Sequence, residues 1–294
     1  MRFARGGDIQ VSATSIAMST VTKTRPAALR VAIGGFGAVG RAVARRLDEG
    51  IEGLTLAAVS ARDRDRAGQR VAELRHPVPV YSLSELAEVA DVVIECTPAA
   101  VFTEVAEPTV RAGRVFMPIS VGALVSHWHV VDLARTHGAR IVVPTGALLG
   151  LDAVRAAAQG EIDSVRMITR KPPRALAGSP YLEQHGISVA RLDKPLKVFA
   201  GSAREGARGF PANVNVAAAL GLAGIGVDRT QLEIWADPTV ERNTHDIIVE
   251  ADSVRLELHI ENVPSDENPR TGKIVALSVI AALKRLVDPI TVGT

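Results

Sequence analysis

Leu29-Arg30-Val31-Ala32-Ile33-Gly34-Gly35-Phe36-Gly37-Ala38-Val39-Gly40-Arg41 decides the fold. The apolar run from Leu29 to Ile33 reads as a buried strand, and the stretch from Arg41 to Leu47 reads as a helix. Between them, Gly35, Gly37 and Gly40 spell Gly-x-Gly-x-x-Gly. Strand, tight glycine turn and helix start together make the setting that a dinucleotide pyrophosphate requires. The first glycine supplies the turn, the second lets the backbone approach the phosphates, and the third lets the helix pack closely on the strand. Free N–H groups at the helix start then face the anion. A plain glycine turn in another α/β protein has the same spacing, but the flanking strand and helix favour the dinucleotide. Gly35, Phe36, Gly37, Ala38 and Val39 are its candidate contacts.

The carboxylate that holds the adenosine ribose of NAD usually stands roughly 20 residues further on, at the end of the second strand. Here that strand, Leu54 to Val59, runs into Ser60-Ala61-Arg62 without an acid. A guanidinium matches phosphate oxygens in a bidentate fork, so Arg62 is a candidate contact for the 2′-phosphate of NADP. Both NAD and NADP are expected cofactors. The competing reading lets Asp63 reach back to the ribose and leaves Arg62 as a solvated loop charge.

Outward from this motif, apolar runs alternate with amphipathic stretches, as in repeated βα units over a parallel sheet. Ser84 is a candidate cap for a short helix through Val89, and strands follow at Asp91 to Cys96, Val115 to Val121 and Arg140 to Pro144. Helices are expected around Phe102 to Ala112, His127 to Thr136 and Leu149 to Ala158. The expected fold is α/β, with a Rossmann-type, doubly wound dinucleotide-binding domain over residues 28–148. After Gly160 the pattern changes. Strands at Val165 to Thr169, Leu196 to Gly201, Gln231 to Trp235, Thr244 to Glu250 and Val254 to Ile260 suggest a second, α+β domain with a mixed or antiparallel sheet, over residues 149–272. A helix is expected over Asn213 to Ala223, and the apolar helix within residues 273–288 should return to the first domain. The segment Pro172 to Gly186 reads either as a mobile loop or as an ordered surface excursion.

With 294 residues, 47% hydrophobic and 22% charged, the chain has enough apolar content for two domains. A net charge of +2 with scattered basic residues argues against a nucleic-acid partner, and no apolar run reaches membrane-spanning length. One cysteine, Cys96, excludes an internal disulfide and fits a cytoplasmic protein. Residues 1–27 show no hydrophobic period and carry Arg2, Arg5, Lys23 and Arg25 against Asp8. They read as a flexible extension, with Met18 as an alternative initiator, or as a targeting segment.

Among seven histidines, His245 stands out because Asn243-Thr244-His245-Asp246 leads straight into the apolar strand Ile247 to Val249. An imidazole at a strand entrance can exchange a proton near neutral pH, although any one histidine is more often structural. His127 and His129 lack companion ligands, so no metal site is expected. Cys96 closes an apolar strand and reads as structural. Arg170, Lys171, Arg204, Arg208, Arg270 and Lys273 are the basic residues available for carboxylates, and Asn213 and Asn215 could cap a helix or hold a ligand.

The chain resembles the L-aspartate dehydrogenase family from about residue 29 to residue 286. The resemblance lies in Pro144-Thr145-Gly146-Ala147, Thr169-Arg170-Lys171-Pro172, Gly201-Ser202-Ala203-Arg204-Glu205, Phe210 to Ala218, Asn243-Thr244-His245 and Asn268-Pro269-Arg270-Thr271-Gly272. It implies cofactor contacts at Ala147 and Asn215 and an active-site histidine at His245. It also implies a nicotinamide cofactor, either NAD or NADP, and a homodimer joined through the second domain. The implied reaction is the reversible oxidative deamination of L-aspartate to oxaloacetate and ammonia by way of iminoaspartate, with a link to NAD biosynthesis if the imine is released. Of the basic residues, Arg170, Lys171 and Arg204 are the first candidates for the substrate carboxylates. Two other readings compete: a homoserine-, dihydrodipicolinate- or semialdehyde-type reductase, and a non-catalytic NADP-sensing regulator.

Overall fold

Val31, Ala32 and Ile33 are wholly buried because β1 (Leu29–Gly34) lies between parallel neighbours in the middle of a sheet. The computed structural model describes residues 27–211, 214–268 and 271–293. The extension expected over residues 1–27 therefore lies outside the described residues except for Ala27. From β1 the chain runs through α1 (Ala38–Asp48), β2 (Leu54–Ser60), α2 (Arg64–Val71), β3 (Val80–Tyr81) and α3 (Leu86–Val89). It continues with β4 (Val92–Glu95), α4 (Phe102–Arg111), β5 (Val115–Pro118), α5 (Val121–Ser126), α6 (His129–His137) and β6 (Arg140–Ile141). These six strands are parallel, in the order β3-β2-β1-β4-β5-β6, the doubly wound arrangement expected from the glycine motif. The order reverses between β1 and β4, and ligands bind beyond the carboxyl ends of strands at such a point.

The second half comprises α7 (Leu151–Ala157), β7 (Ile162–Lys171), α8 (Pro173–Leu176), α9 (Pro180–Gln184), β8 (Leu196–Ser202) and α10 (Ala203–Gly209). It is completed by α11 (Asn215–Ala223), β9 (Gln231–Ala236), β10 (Thr244–Ala251), β11 (Arg255–Glu261) and α12 (Ile274–Lys284). Its sheet has the order β11-β10-β7-β9-β8, with β7 antiparallel to β10 and parallel to β9, so it is mixed. Val165 and Met167 of β7 and Ile247 and Val249 of β10 face α7, α10 and α11 in one apolar core. Each fully buried side chain of this kind contributes about 1.5–3 kcal/mol. Helix α12 leaves this unit and buries Val279 and Leu283 against Val43, Ala44 and Leu47 of α1.

Several local features differ from the pattern-based reading. Val121 starts α5 rather than ending β5, and β6 stops at Ile141. Ser84 does not cap α3. Glu85 instead accepts from the backbone N–H and hydroxyl of Ser82, at 2.8 and 2.5 Å. Pro172 to Gly186 is the ordered excursion of the two readings, since α8 and α9 bury Leu176 and Leu182 in the second core.

Candidate active site

The two halves enclose a cavity of about 330 Å3 at the carboxyl ends of β1, β4 and β5. Gly37 to Gly40, Thr97, Ser120 and Thr145 to Ala147 line one side, and Lys171, Asn215, His245, Asn262 and Thr271 close the other.

The glycine turn fits a pyrophosphate. Gly35 has φ +98°, and a Cβ there would stand 2.4 Å from the Cys96 carbonyl oxygen, so a side chain is excluded by conformation and by space. At Gly40 a Cβ would meet the Gly35 oxygen at 2.1 Å, which explains the close helix packing. Over Gly37, by contrast, a Cβ would meet nothing within 4 Å. Gly37 is also the N-cap of α1, and no side chain caps that helix. Open space over uncapped N–H groups is what a phosphate needs. Gly37, Ala38, Val39, Ala147 and Asn215 border the cavity, whereas Gly35 and Phe36 do not, Phe36 being buried in the core of the first sheet. Arg62 is exposed and off the lining, and Asp63 accepts the Arg66 N–H at 3.0 Å as the cap of α2, which accounts for its carboxylate locally.

Glu95 fastens the floor. Its carboxylate, fully buried at the end of β4, accepts from the Thr97 N–H at 2.7 Å and hydroxyl at 2.8 Å, and from the Ser120 N–H and hydroxyl at 3.0 Å each. Burial pushes its pKa up, and the four donors oppose that shift. One acceptor-only group thus ties the loop after β4 to the loop after β5, and both border the cavity. Glu95→Gln puts an NH2 against these donors and is expected to weaken NAD binding roughly 10-fold, the cost of one mismatched buried polar group. Calorimetric titration checks this, and unchanged affinity would remove Glu95 from cofactor placement.

Asn215 does not cap α11. Its Oδ1 accepts the Gly122 N–H at 3.0 Å, linking α11 to α5 across the two halves. Asn262 donates to the Ala147 carbonyl at 3.2 Å, and the Gly146 N–H donates to Ser278 Oγ at 3.1 Å, so the turn after β6 is held from β11's far end and from α12. Asn213 and Arg270 lie outside the described residues.

His245 owes its setting to strand register. It pairs with Thr169 across β7 and β10, and its side chain is 2% exposed. Thr169 Oγ1 stands 2.8 Å from His245 Nδ1 and 3.3 Å from the Thr244 carbonyl. When the hydroxyl donates to that carbonyl it accepts from the ring, the arrangement that puts the ring proton on Nδ1 and leaves the Nε2 lone pair to accept a proton. Burial, reinforced by the charge of Lys171, lowers the imidazole pKa to about 3 and keeps the ring neutral. Lys171 lies two residues beyond Thr169 on the same face of β7, and burial lowers its pKa to about 8.

The other basic candidates are elsewhere. Arg170 points to the opposite face, where it pairs with Asp237 at 3.2 Å and stacks on Trp235 at 4.9 Å. Arg204 pairs with Asp228 at 2.5 Å and Lys273 with Asp266 at 3.0 Å, and neither they nor Arg208 border the cavity. His127 stacks on Phe102, and His129 meets Glu107 at 3.0 Å. Among the described residues no group of three or more His, Cys, Asp or Glu is arranged for a metal. Cys96 borders the cavity, but desolvation, with Glu95 beside it, pushes its thiol well above the ordinary value. Sequence reasoning missed Glu95 and Thr169. The acid closing Val92-Val93-Ile94-Glu95 was a usable signal, whereas Thr169 stood in one of the family-like stretches without anything to tie it to His245 before the register was known.

A family model described as "Aspartate dehydrogenase, C-terminal" matches residues 152–286, and one described as "Homoserine dehydrogenase, NAD binding domain" matches residues 35–144. An L-aspartate dehydrogenase of Bradyrhizobium diazoefficiens is 52% identical over 272 residues, covering 92% of this chain and 96% of its own. L-aspartate dehydrogenase 3 of Bordetella bronchiseptica is 51% identical, covering 90% and 98%. In the fold, the chain is similar to the crystal structure of aspartate dehydrogenase from Thermotoga maritima, with a TM-score of 0.70 at 23% identity over 90% of this chain and 99% of that one.

Proposed function

The chain belongs to the L-aspartate dehydrogenase family, and from that premise we propose that it catalyses the reversible, NAD(P)-dependent oxidative deamination of L-aspartate to oxaloacetate and ammonia. The observation that carries this reading is a neutral, buried imidazole, held at Nδ1 by the Thr169 hydroxyl, in the same cavity as an uncapped glycine turn. The nicotinamide cofactor, when bound, supplies the hydride acceptor. We assign its binding to Gly35, Phe36, Gly37, Ala38, Val39, Ala147 and Asn215, and proton transfer to His245. Once the substrate is oxidised to iminoaspartate, protonated on nitrogen, a water adds to the imine carbon and gives a proton to Nε2. The resulting carbinolamine takes that proton on nitrogen and loses ammonia as its hydroxyl proton passes to Nε2, leaving the keto acid. Release of the imine before hydrolysis would link the enzyme to pyridine-nucleotide synthesis.

Absorbance of the reduced cofactor, followed with L-aspartate and with homoserine as the control, tests the function. Reduction with aspartate alone, matched by ammonia release, is the expected result. Binding of both cofactors without reduction would overturn it in favour of the sensor. Relatives matching over nine-tenths of the chain do not favour a reductase, and the homoserine dehydrogenase likeness covers the cofactor half alone. The thioester chemistry of a semialdehyde-type enzyme lacks a nucleophile, given the un-ionised Cys96 thiol.

NADP selection is assigned to Arg62, in an exposed position after β2 where a guanidinium can turn to a 2′-phosphate. Arg62→Ala should raise the KM for NADP roughly 10-fold and leave that for NAD unchanged. An equal effect on both would sink the assignment.

We further assign residues 28–148, with the helix of 273–288, to the cofactor unit and residues 149–272 to a substrate and dimerisation unit. The face of the second sheet away from its core supports a homodimer: it presents Ile168, Trp235 and Ile248, partly exposed, among charged neighbours. A light-scattering mass of a single chain would refute that assembly. No helix among the described residues is long and apolar enough to cross a membrane, and the one cysteine supports our placement of the enzyme in the cytoplasm.

A further inference from the structure

Among the described residues lining the cavity, Lys171 is the one lysine or arginine. The rest of its far wall is built from amides, hydroxyls and apolar groups, including Asn215, Asn243, Asn262 and Thr271. A dicarboxylate entering such a cavity loses water around two negative charges, and that cost must be offset by charge-assisted hydrogen bonds. Strand geometry sets the position. Residues alternate along β7, so Thr169 and Lys171 share a face, and Thr169 is the cross-strand partner of His245. Lys171 is therefore the diagonal neighbour of the imidazole, and such residue pairs stand roughly 7–8 Å apart, within reach of a long side chain. Its backbone is pinned as well, because the Lys171 carbonyl accepts the Asp237 N–H at 2.8 Å at the end of β9.

We propose that Lys171 is the carboxylate anchor that selects an acidic amino acid at this site, holding the bound dicarboxylate beside His245. The proposal rests on the L-aspartate reading above and adds the residue that imposes it. Arg170 and Arg204 do not share the task, since neither borders the cavity: the first turns to Asp237 and the second to Asp228. Among the described residues, the titratable groups that share the cavity with Lys171 are His245 from β10 and Cys96 from the end of β4. The nearby Asp237 carboxylate is engaged by Thr239 and Arg170.

Burial lowers Lys171 to about 8, so above that pH part of the population is neutral in the absence of ligand. An anion beside an ammonium favours its charged form. Binding of a dicarboxylate above pH 8 must then be accompanied by proton uptake. No such uptake follows if Lys171 merely fills space.

The experiment is calorimetric titration of the NAD-loaded protein with succinate, a dicarboxylate that cannot be oxidised at an amine, at pH 8.5 in two buffers of different ionisation enthalpy. The wild type should bind with proton uptake. Lys171→Met should bind roughly 10- to 100-fold more weakly, the range for losing a charged hydrogen bond, and without uptake. Lys171→Arg, permanently charged, should retain more of the affinity than the methionine variant, again without uptake. Wild-type affinity and uptake in Lys171→Met, with melting temperature preserved, would overturn the anchor. If instead wild-type protein turns over no L-aspartate, it is the functional reading that fails, and the two failures are distinct. A loss of affinity that Lys171→Arg does not relieve, with uptake intact in both variants, would likewise place the anchoring charge elsewhere.

Discussion

His245→Ala is expected to lower kcat for L-aspartate oxidation by roughly 100-fold or more, the range for removing a positioned acid–base group. In the substrate-free protein the ring is held neutral by burial and by Lys171, with a pKa of about 3. A base that weak gains strength when a substrate with two carboxylates arrives, because nearby negative charge raises an imidazole pKa. The substrate itself thus brings the base toward its working range. The sign of the pH dependence follows: neutral imidazole accepts the proton, so wild-type turnover falls as pH is lowered through the His245 pKa of the loaded enzyme. That acidic limb should vanish in the alanine variant, and steady-state rates over a pH series check it. Thr169 Oγ1 retains the Thr244 carbonyl as a partner in the variant, so loss of the ring does not strand the hydroxyl. Full activity from neutral to alkaline pH would remove His245 from the mechanism.

Gly35→Ala is expected to abolish dinucleotide binding, with a loss in affinity of more than about 100-fold, equivalent to roughly 3 kcal/mol. Two costs add. A φ of +98° is strained for any L side chain, by about 1–3 kcal/mol. The new methyl would also overlap the Cys96 carbonyl, 2.4 Å away, and displace the Cys96-Thr97 turn that borders the cavity. Melting temperature should drop alongside affinity. Gly37→Ala separates the two effects. Its Cβ meets nothing within 4 Å and its φ of −83° is ordinary, so stability should hold while the methyl occupies space that the phosphates need. Calorimetry and thermal denaturation on both variants give the comparison. Tight cofactor binding by Gly37→Ala would show that the pyrophosphate does not lie over this turn.

The doubly wound sheet was legible because its signals are local. An apolar run such as Val92-Val93-Ile94 can bury both faces of a parallel strand, and the Gly35 to Gly40 spacing serves one kind of turn. Less was legible at Val115 to Val121, where a continuous apolar run conceals the passage from β5 into α5. Apolar content alone does not distinguish strand from helix over so short a stretch. The α8–α9 excursion was ambiguous for another reason: glycine and proline mark its turns, but Leu176 and Leu182 are buried only by the core they reach.

The sequence by itself determined the nucleotide-binding architecture, the presence of a second sheet and the prominence of His245, since each depends on residues adjacent in the chain or on a repeating period, whereas the parallel pairing of β7 with β9 that makes that sheet mixed came from the tertiary structure. Only the tertiary structure decided which groups meet. Glu95 gathers Thr97 with Ser120, Asn215 reaches Gly122, and Thr169 orients His245 across 76 residues of chain. The same holds for the three basic candidates. Arg170 and Lys171 are adjacent in sequence, yet the two-residue period of β7 sends the first to Asp237 on the outer face and the second into the cavity. No composition or spacing rule distinguishes them, because which face of a strand is buried is fixed by the elements that pack on it.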